Sequence, residues 1–202
     1  MNNTDKFVFL VAMDEEAVYL KEYFNLKPSK IENYYTSDKY NNVSMVITGV
    51  GLTNVLSTLS HCINEQLFKS DCNFINIGYV GSPLYNVGDI VQITSIKRLF
   101  EPQKVSGLNK IFKTDLLFDE KSCKNTMLYT ADDFVEDQEL PQKDCVVDME
   151  AYYIICILSK LCSVKIVSDN LCLNDCNNAS RSELIQKAWK EILKKLSGVI
   201  TK

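Results

Sequence analysis

The chain has 202 residues, of which 46% are hydrophobic and 24% charged, and its formal net charge is −4. These values are typical of a soluble globular domain with enough apolar residues for a full core. The acidic balance without a basic stripe argues against nucleic-acid binding, and no apolar run approaches the ~18 residues of a membrane span.

Eight cysteines could suggest a disulfide framework, but their positions do not. Four lie within apolar patterns, where cysteine behaves as a small hydrophobe: Cys62, Cys145, Cys156 and Cys162. The polar first six residues and the short apolar run after them do not form a secretory signal. We therefore predict reduced thiols and a cytoplasmic location. Cys172 and Cys176 lack the additional ligands that zinc needs, so no metal site is predicted.

The first half of the chain alternates apolar runs with helical patterns. The runs that predict buried strands are 7–12, 43–48 and 73–78. A helix is predicted after each of the first two strands. The first begins at Asp14 and has Ala17, Leu20 and Phe24 on one side, and the second covers 52–67. Residues 89–96 alternate between apolar and polar, which is typical of a half-exposed strand.

The second half begins with a weak, loop-like pattern over 97–125 and then resumes the alternation. Strands are predicted at 127–130 and 164–167, and an apolar helix at 149–161. Ser180 and Glu183 form a capping-box pattern that predicts the start of the last helix. The apolar residues at helical spacing that should face the core are Leu184, Ile185, Ala188, Trp189, Ile192, Leu193 and Leu196.

Strands alternating with helices predict an α/β fold with three αβα layers around a largely parallel, mixed sheet. No linker or internal repeat interrupts the chain, so residues 1–202 are predicted to form a single domain. Acidic residues follow two short apolar runs: Asp148 and Glu150 come after 145–147, and Asp169 comes after 164–167. In open α/β sheets that edge binds ligands, which favours an enzyme site. Asp148 fits a surface position equally well and is assigned no role.

Seven motifs occur in the order that characterises one protein family. They are AMDEE (12–16), TGVG (48–51), NIGYVG (76–81), VGDIV (87–91), DDF (132–134), VDMEA (147–151) and SD (168–169). The chain resembles the purine nucleoside phosphorylase and nucleosidase superfamily, and within it the methylthioadenosine/S-adenosylhomocysteine nucleosidases. The resemblance runs from Phe7 to the C-terminal helix, with a shortened middle section. It implies cleavage of the N-glycosidic bond of a small nucleoside, without metal or organic cofactor, by a homo-oligomer (a dimer or hexamer).

Three carboxyl groups match the family's reacting groups. Asp169 matches the general acid, because a purine leaves only when a ring nitrogen is protonated, which calls for a buried carboxyl of raised pKa. Glu150 matches the residue that accepts hydrogen bonds from the ribose hydroxyls beneath a sugar that becomes cationic. Glu16 matches the glutamate that activates the attacking water.

The resemblance also implies a set of contacts around the ligand. Met149 would pack on the sugar, Phe134 would stack on the purine, and the backbone of Val135 would read the base edge. The remaining positions predicted to surround the substrate are Ser168, Gly78 and Tyr79.

Glu16 also separates two possible reactions. Phosphorylases of the superfamily place arginines near this position and at the glycine-rich strand end, where they bind phosphate. This chain has Glu16 and Asn76 instead, and its two arginines, Arg98 and Arg181, lie outside the glycine motifs. The sequence therefore favours hydrolysis of an adenine nucleoside such as 5′-methylthioadenosine or S-adenosylhomocysteine.

Several positions depart from the family pattern. Tyr79 and Val80 stand where nucleosidases carry small residues and are expected to fill part of the pocket floor. Lys165 replaces an arginine, and Asp133 adds charge beside Phe134. Two alternatives therefore stay open: a phosphate-dependent nucleoside phosphorylase, and a non-catalytic nucleoside-binding relative.

Overall fold

The structure is a computed structural model that describes residues 6–99, 110–119, 123–136, 140, 144–171 and 178–201. The helices are α1 (Asp14–Phe24), α2 (Gly51–Asn64), α3 (Ala151–Leu158) and α4 (Asn178–Ile200). The strands are β1 (Lys6–Val11), β2 (Leu26–Pro28), β3 (Tyr34–Ser37), β4 (Val43–Ile47), β5 (Cys72–Gly81), β6 (Ile90–Arg98), β7 (Phe112–Lys113), β8 (Lys124–Thr130), β9 (Cys145–Asp148) and β10 (Cys162–Asp169). Cys172, Cys176 and part of the predicted 97–125 loop lie outside the described residues.

The strands form one mixed sheet whose central pairings are parallel. β1 lies between β4 and β5, and β5 also pairs in parallel with β10. β6 runs antiparallel to β10 and parallel to β8, which in turn runs parallel to β9. β2 and β3 extend the other side of the sheet as antiparallel strands next to β4.

Helices cover both faces of this sheet. In β1, Phe7, Phe9 and Val11 point into one core, while Val8 and Leu10 point into the other. This alternation follows from the two-residue period of a strand and from burial on both faces. Helices α1 and α4 contribute to the first core, and α2 and α3 to the second. The predicted three-layer αβα architecture is confirmed.

Strands β5 and β10 continue past the ends that the sequence predicts. β5 continues through Tyr79, Val80 and Gly81 because these residues pair with β10. β10 likewise includes Ser168 and Asp169, which form the end of the strand instead of following it. β6 is more buried than the alternating pattern predicts, because it has β10 on one side and β8 on the other.

The start of the last helix differs from the prediction. α4 begins at Asn178, so Ser180 is its third residue and not its N-cap. No residue between Asn178 and Ser180 interrupts helical geometry, which lets the helix begin two residues earlier. Leu184 is 46% exposed and lies outside the core, whereas Trp189 and Leu196 are fully buried as predicted.

None of the described cysteines is part of a disulfide bond: Cys62, Cys72, Cys123, Cys145, Cys156 and Cys162. Cys156 is exposed, so its predicted place in the core is wrong, whereas Cys62 and Cys145 are buried. None of the helices in the described part of the chain combines the length and apolarity needed to cross a bilayer.

Candidate active site

A cavity of about 870 Å³ opens where the carboxyl ends of the central strands meet. Its walls come from residues at the ends of β1, β5, β8, β9 and β10 and from the first turns of α1 and α4. Eight of the predicted site residues line it: Glu16, Tyr79, Phe134, Val135, Met149, Glu150, Ser168 and Asp169. The three carboxyl groups on which the predicted chemistry depends therefore surround one space.

Glu16 is held in place by backbone groups from two elements. Its Oε2 accepts hydrogen bonds from the backbone N–H of Ala12 at 2.9 Å and of Met13 at 3.1 Å. Its Oε1 accepts from the backbone N–H of Tyr79 at 2.7 Å. Burial raises the pKa of Glu16, whereas Lys165 and these three N–H groups oppose the rise. A buried glutamate of raised pKa is a stronger base than an exposed one when it is ionised.

Gly78, the ninth predicted site residue, lies directly behind the carboxyl group of Glu16. A Cβ at this position would approach Oε1 of Glu16 to 2.4 Å, which no real side chain tolerates. Gly78 therefore makes room for the carboxyl group of Glu16. The sequence does not reveal this role, because a glycine near the end of a strand does not show which side chain lies next to it.

Glu150 is the N-cap residue of α3 and is buried, with 6% of its surface exposed. Its Oε1 accepts a hydrogen bond from the backbone N–H of Gly51 at 3.0 Å. Gly51 has a φ of +79°, a conformation that favours glycine. Burial, reinforced by Asp148, raises the pKa of Glu150 to about 7. Met149, immediately before it, also lines the cavity and is half-buried.

Asp169 occupies the last position of β10, and its carboxyl group is 35% exposed. Its Oδ2 accepts a hydrogen bond from Ser168 Oγ at 2.7 Å, and its Oδ1 accepts from the backbone N–H of Leu171 at 3.1 Å. The guanidinium group of Arg181 lies 3.8 Å from Oδ2. Asp169 is therefore fixed by its neighbours and faces a cation from α4, and it is less buried than the sequence predicts.

The aromatic residues lie at two sides of the cavity. Phe134 is 90% exposed at the mouth, next to Val135, which is buried. The turn that carries Phe134 is anchored by Asp132, which accepts hydrogen bonds from Arg98 and Tyr153. An exposed aromatic ring beside a cavity is available to stack on a planar ligand.

Tyr79 lines the cavity, and an aromatic cluster fixes the position of its ring. Trp189 Nε1 donates a hydrogen bond to the Tyr79 hydroxyl at 3.0 Å, and Trp189 also stacks on Tyr19 with ring centroids 4.9 Å apart. This aromatic cluster keeps the Tyr79 ring against α4, so Tyr79 and Val80 form a wall while the cavity stays open.

Sequence reasoning missed a buried ion pair between Asp148 and Lys165. Lys165 Nζ lies 2.9 Å from Asp148 Oδ2, and the two side chains are 2% and 1% exposed. Asp148 also accepts hydrogen bonds from Thr130 Oγ1 at 2.7 Å and from the backbone N–H of Ala151 at 3.1 Å. Burial alone would lower the pKa of Lys165, but Asp148, Glu150 and Glu16 raise it. Asp148 is therefore an interior residue. Lys165 is the buried cation whose charge interacts with Asp148, Glu150 and Glu16.

Within the described ranges, no group of three or more His, Cys, Asp or Glu side chains is arranged to hold a metal ion.

The fold is similar to that of solved nucleosidases, which superpose on nearly the whole chain. No protein-family model matches the sequence, and no curated protein matches it either.

Two of these structures are 5′-methylthioadenosine/S-adenosylhomocysteine nucleosidases. That of Neisseria meningitidis, in complex with methylthio-immucillin-A, is 19% identical with a TM-score of 0.74, and the match covers 97% of this chain and 98% of that one. That of Streptococcus pneumoniae, with a transition-state inhibitor, is 19% identical with a TM-score of 0.73, covering 96% and 98%.

A third structure, the futalosine hydrolase of Helicobacter pylori, is 15% identical with a TM-score of 0.75, covering 100% of this chain and 99% of that one. At these identities the likeness establishes the fold, and it agrees with the resemblance carried by the seven sequence motifs.

Proposed function

We propose that the protein hydrolyses the N-glycosidic bond of a purine nucleoside. The observation that carries this proposal is the convergence of Glu16, Glu150 and Asp169 on one cavity from three different strand ends. Each carboxyl group is fixed by neighbouring donors, so the three are pre-organised before a ligand arrives. The shared fold of nucleosidases solved with inhibitors supports the same reaction class.

In the proposed reaction, Asp169 donates a proton to a ring nitrogen of the purine. The bond between the anomeric carbon and the base then breaks, and its electron pair leaves with the base. Ser168 and the N–H of Leu171 hold the Asp169 carboxyl group in place for this transfer. General acid catalysis of this kind contributes about 10²- to 10⁴-fold to a rate.

Glu16 and Glu150 act on the sugar side. Glu150 accepts hydrogen bonds from ribose hydroxyls and places negative charge near a sugar that becomes cationic as the bond breaks. Glu16 removes a proton from water as the water oxygen bonds to the anomeric carbon. The base leaves with the proton that Asp169 donates, and the sugar keeps the hydroxyl group of the water from which Glu16 removes a proton. The products are therefore the free base and the free sugar.

We place Phe134 and Val135 at the base and Met149 at the sugar, and we propose adenine as the base. The proposed substrates are adenine nucleosides such as 5′-methylthioadenosine or S-adenosylhomocysteine, which appear in the names of two structural neighbours. Futalosine hydrolase has the same fold, so the base and the 5′ substituent must be measured.

We further propose a cytoplasmic, single-domain protein, and the family resemblance implies a homo-oligomer, either a dimer or a hexamer. Analytical ultracentrifugation of the purified chain tests the last point.

The experiment is a base-release assay on a panel of purine nucleosides, with and without phosphate. We expect release without phosphate and a loss of at least about 100-fold in Asp169→Asn and Glu16→Gln. Glu15→Gln is the matched control for Glu16, because Glu15 is exposed on the same helical turn and does not line the cavity.

Strict dependence on phosphate would assign the protein to the phosphorylases. Tight nucleoside binding without turnover between about pH 5 and 9 would make it a binding protein. Either result would overturn hydrolysis.

A further inference from the structure

The described lining of the cavity is strongly acidic. Six acidic side chains are among the described residues that line it: Glu16, Asp133, Glu136, Asp148, Glu150 and Asp169. Among the same residues, the only basic side chain is Arg181. A negatively charged ligand group would be repelled over most of this surface and attracted at one point.

Arg181 is arranged as a binding group more than as a structural one. It lies in the first turn of α4, and Ser182 and Ile185 of the same helix line the cavity beside it. Its guanidinium group is 35% exposed and lies 3.8 Å from Asp169 Oδ2, beyond hydrogen-bond distance. Five N–H donors in a planar fork match the two oxygens of a carboxylate or phosphate.

Asp169 does not need Arg181 to hold its position. Ser168 Oγ and the N–H of Leu171 already fix its two oxygens at 2.7 and 3.1 Å. The guanidinium group can therefore turn toward a ligand without freeing the carboxyl group.

We propose that Arg181 binds a negatively charged substituent of the nucleoside, a carboxylate or a phosphate, and makes the cavity selective for anionic purine nucleosides. This inference rests on the proposed function and narrows its substrate class.

The remaining features of the cavity agree with this assignment. Its volume of about 870 Å³ is near the upper end of the range for small-molecule sites, which leaves room for a nucleoside with an added substituent.

The test compares nucleosides that differ in charge and little else. Adenosine 5′-carboxylate is set against its uncharged 5′-carboxamide, and adenosine 5′-monophosphate against adenosine. We expect kcat/KM for base release to be at least about tenfold higher for the charged member of one pair, mainly through KM. The pair that shows the preference identifies carboxylate or phosphate as the recognised group.

Arg181→Gln should reduce this preference by about tenfold or more. Lys187→Gln is the matched control, because it removes one positive charge from an exposed position of the same helix, away from the cavity. Calorimetric titration of both variants with adenosine 5′-monophosphate and adenosine measures the same preference in binding alone.

The outcomes separate this inference from the proposed function. The charged and uncharged members of each pair could react at equal rates, and Arg181→Gln could change both rates by the same factor. That result would overturn the role of Arg181 and would not contradict hydrolysis. If no base is released, hydrolysis fails, and the calorimetric preference still decides for or against Arg181. Release that requires free phosphate, and loses that requirement in Arg181→Gln, would overturn both.

Discussion

Gly78→Ala provides a sharp test of the role of Glu16, because the structure fixes how far the carboxyl group must move. The added Cβ would lie 2.4 Å from Oε1 of Glu16 and 2.9 Å from its carboxyl carbon, whereas ordinary contacts begin at 3.4 Å. The difference, 3.4 minus 2.4, requires a retreat of about 1 Å. That movement breaks the 2.7 Å hydrogen bond from the N–H of Tyr79.

A catalytic group displaced by about 1 Å loses about 100-fold in rate, which corresponds to about 3 kcal/mol in activation free energy. We therefore expect kcat for base release to fall about 100-fold in Gly78→Ala. The lost hydrogen bond should lower the free energy of unfolding by about 1–3 kcal/mol, so a denaturant titration must show that the variant is folded at the assay temperature.

Gly198→Ala is the control, because a Cβ there meets no atom within 4 Å and the residue lies inside α4. It should keep full activity and gain about 0.5–1 kcal/mol in stability from helix propensity. The double variant Gly78→Ala/Glu16→Gln should be no slower than Glu16→Gln alone, since both changes remove the same group.

Full activity in Gly78→Ala would show that the carboxyl position does not matter to turnover. Losses that multiply in the double variant would show that Gly78 acts independently of Glu16. Either result would refute the reasoning.

Two further predictions concern the buried charges. Because burial raises the pKa of Glu150 from 4.5 to about 7, the folded state binds more protons than the unfolded state between these values. Stability should therefore fall as pH rises from about 4.5 to 7, by about 3 kcal/mol at most, while kcat/KM rises toward pH 7 as Glu150 ionises. Glu150→Gln should reduce the fall in thermal stability and leave the part that the raised pKa of Glu16 contributes; an unchanged Tm-against-pH curve would contradict the assignment. Asp148→Asn should cost about 3–5 kcal/mol by leaving the Lys165 charge without its partner, and the double variant Asp148→Asn/Lys165→Met should cost less than the sum of the single changes; additive losses in a double-mutant cycle would argue against a coupled pair.

The sequence predicted the layers of the fold and the position of the site for a physical reason. Runs such as 7–12 are apolar because both faces of their strands are buried, and the polar residue after each run marks the edge where a ligand can bind. Glu16, Glu150 and Asp169 all lie at or shortly after the ends of such runs. The sequence therefore places them at the edge of the sheet where the cavity lies. The family motifs added the expected roles, which the experiments above test.

What the sequence could not predict depends on which strands are neighbours. Tyr79 continues β5 because β10 lies beside it, and nothing local in 76–81 signals that pairing. The hydrogen bond from Trp189 that draws the Tyr79 ring aside joins residues 110 positions apart. The capping pattern of Ser180 and Glu183 is a local signal that predicts a helix start at Ser180. In the structure α4 begins at Asn178, so Ser180 lies inside the helix.

The pair of Asp148 and Lys165 shows why such long-range contacts matter for function. Three buried carboxyl groups, Glu16, Asp148 and Glu150, face one buried cation, and Lys165 contacts only Asp148 among them within 4 Å in the described structure. Burial without enough compensating positive charge raises the pKa of both Glu16 and Glu150. In the proposed reaction the sugar becomes cationic between these groups, so the missing positive charge arises only in the transition state. The excess negative charge is unfavourable while the site holds no ligand, and the cationic sugar neutralises it in the transition state. The site therefore binds the transition state more tightly than the substrate, which is the condition for catalysis.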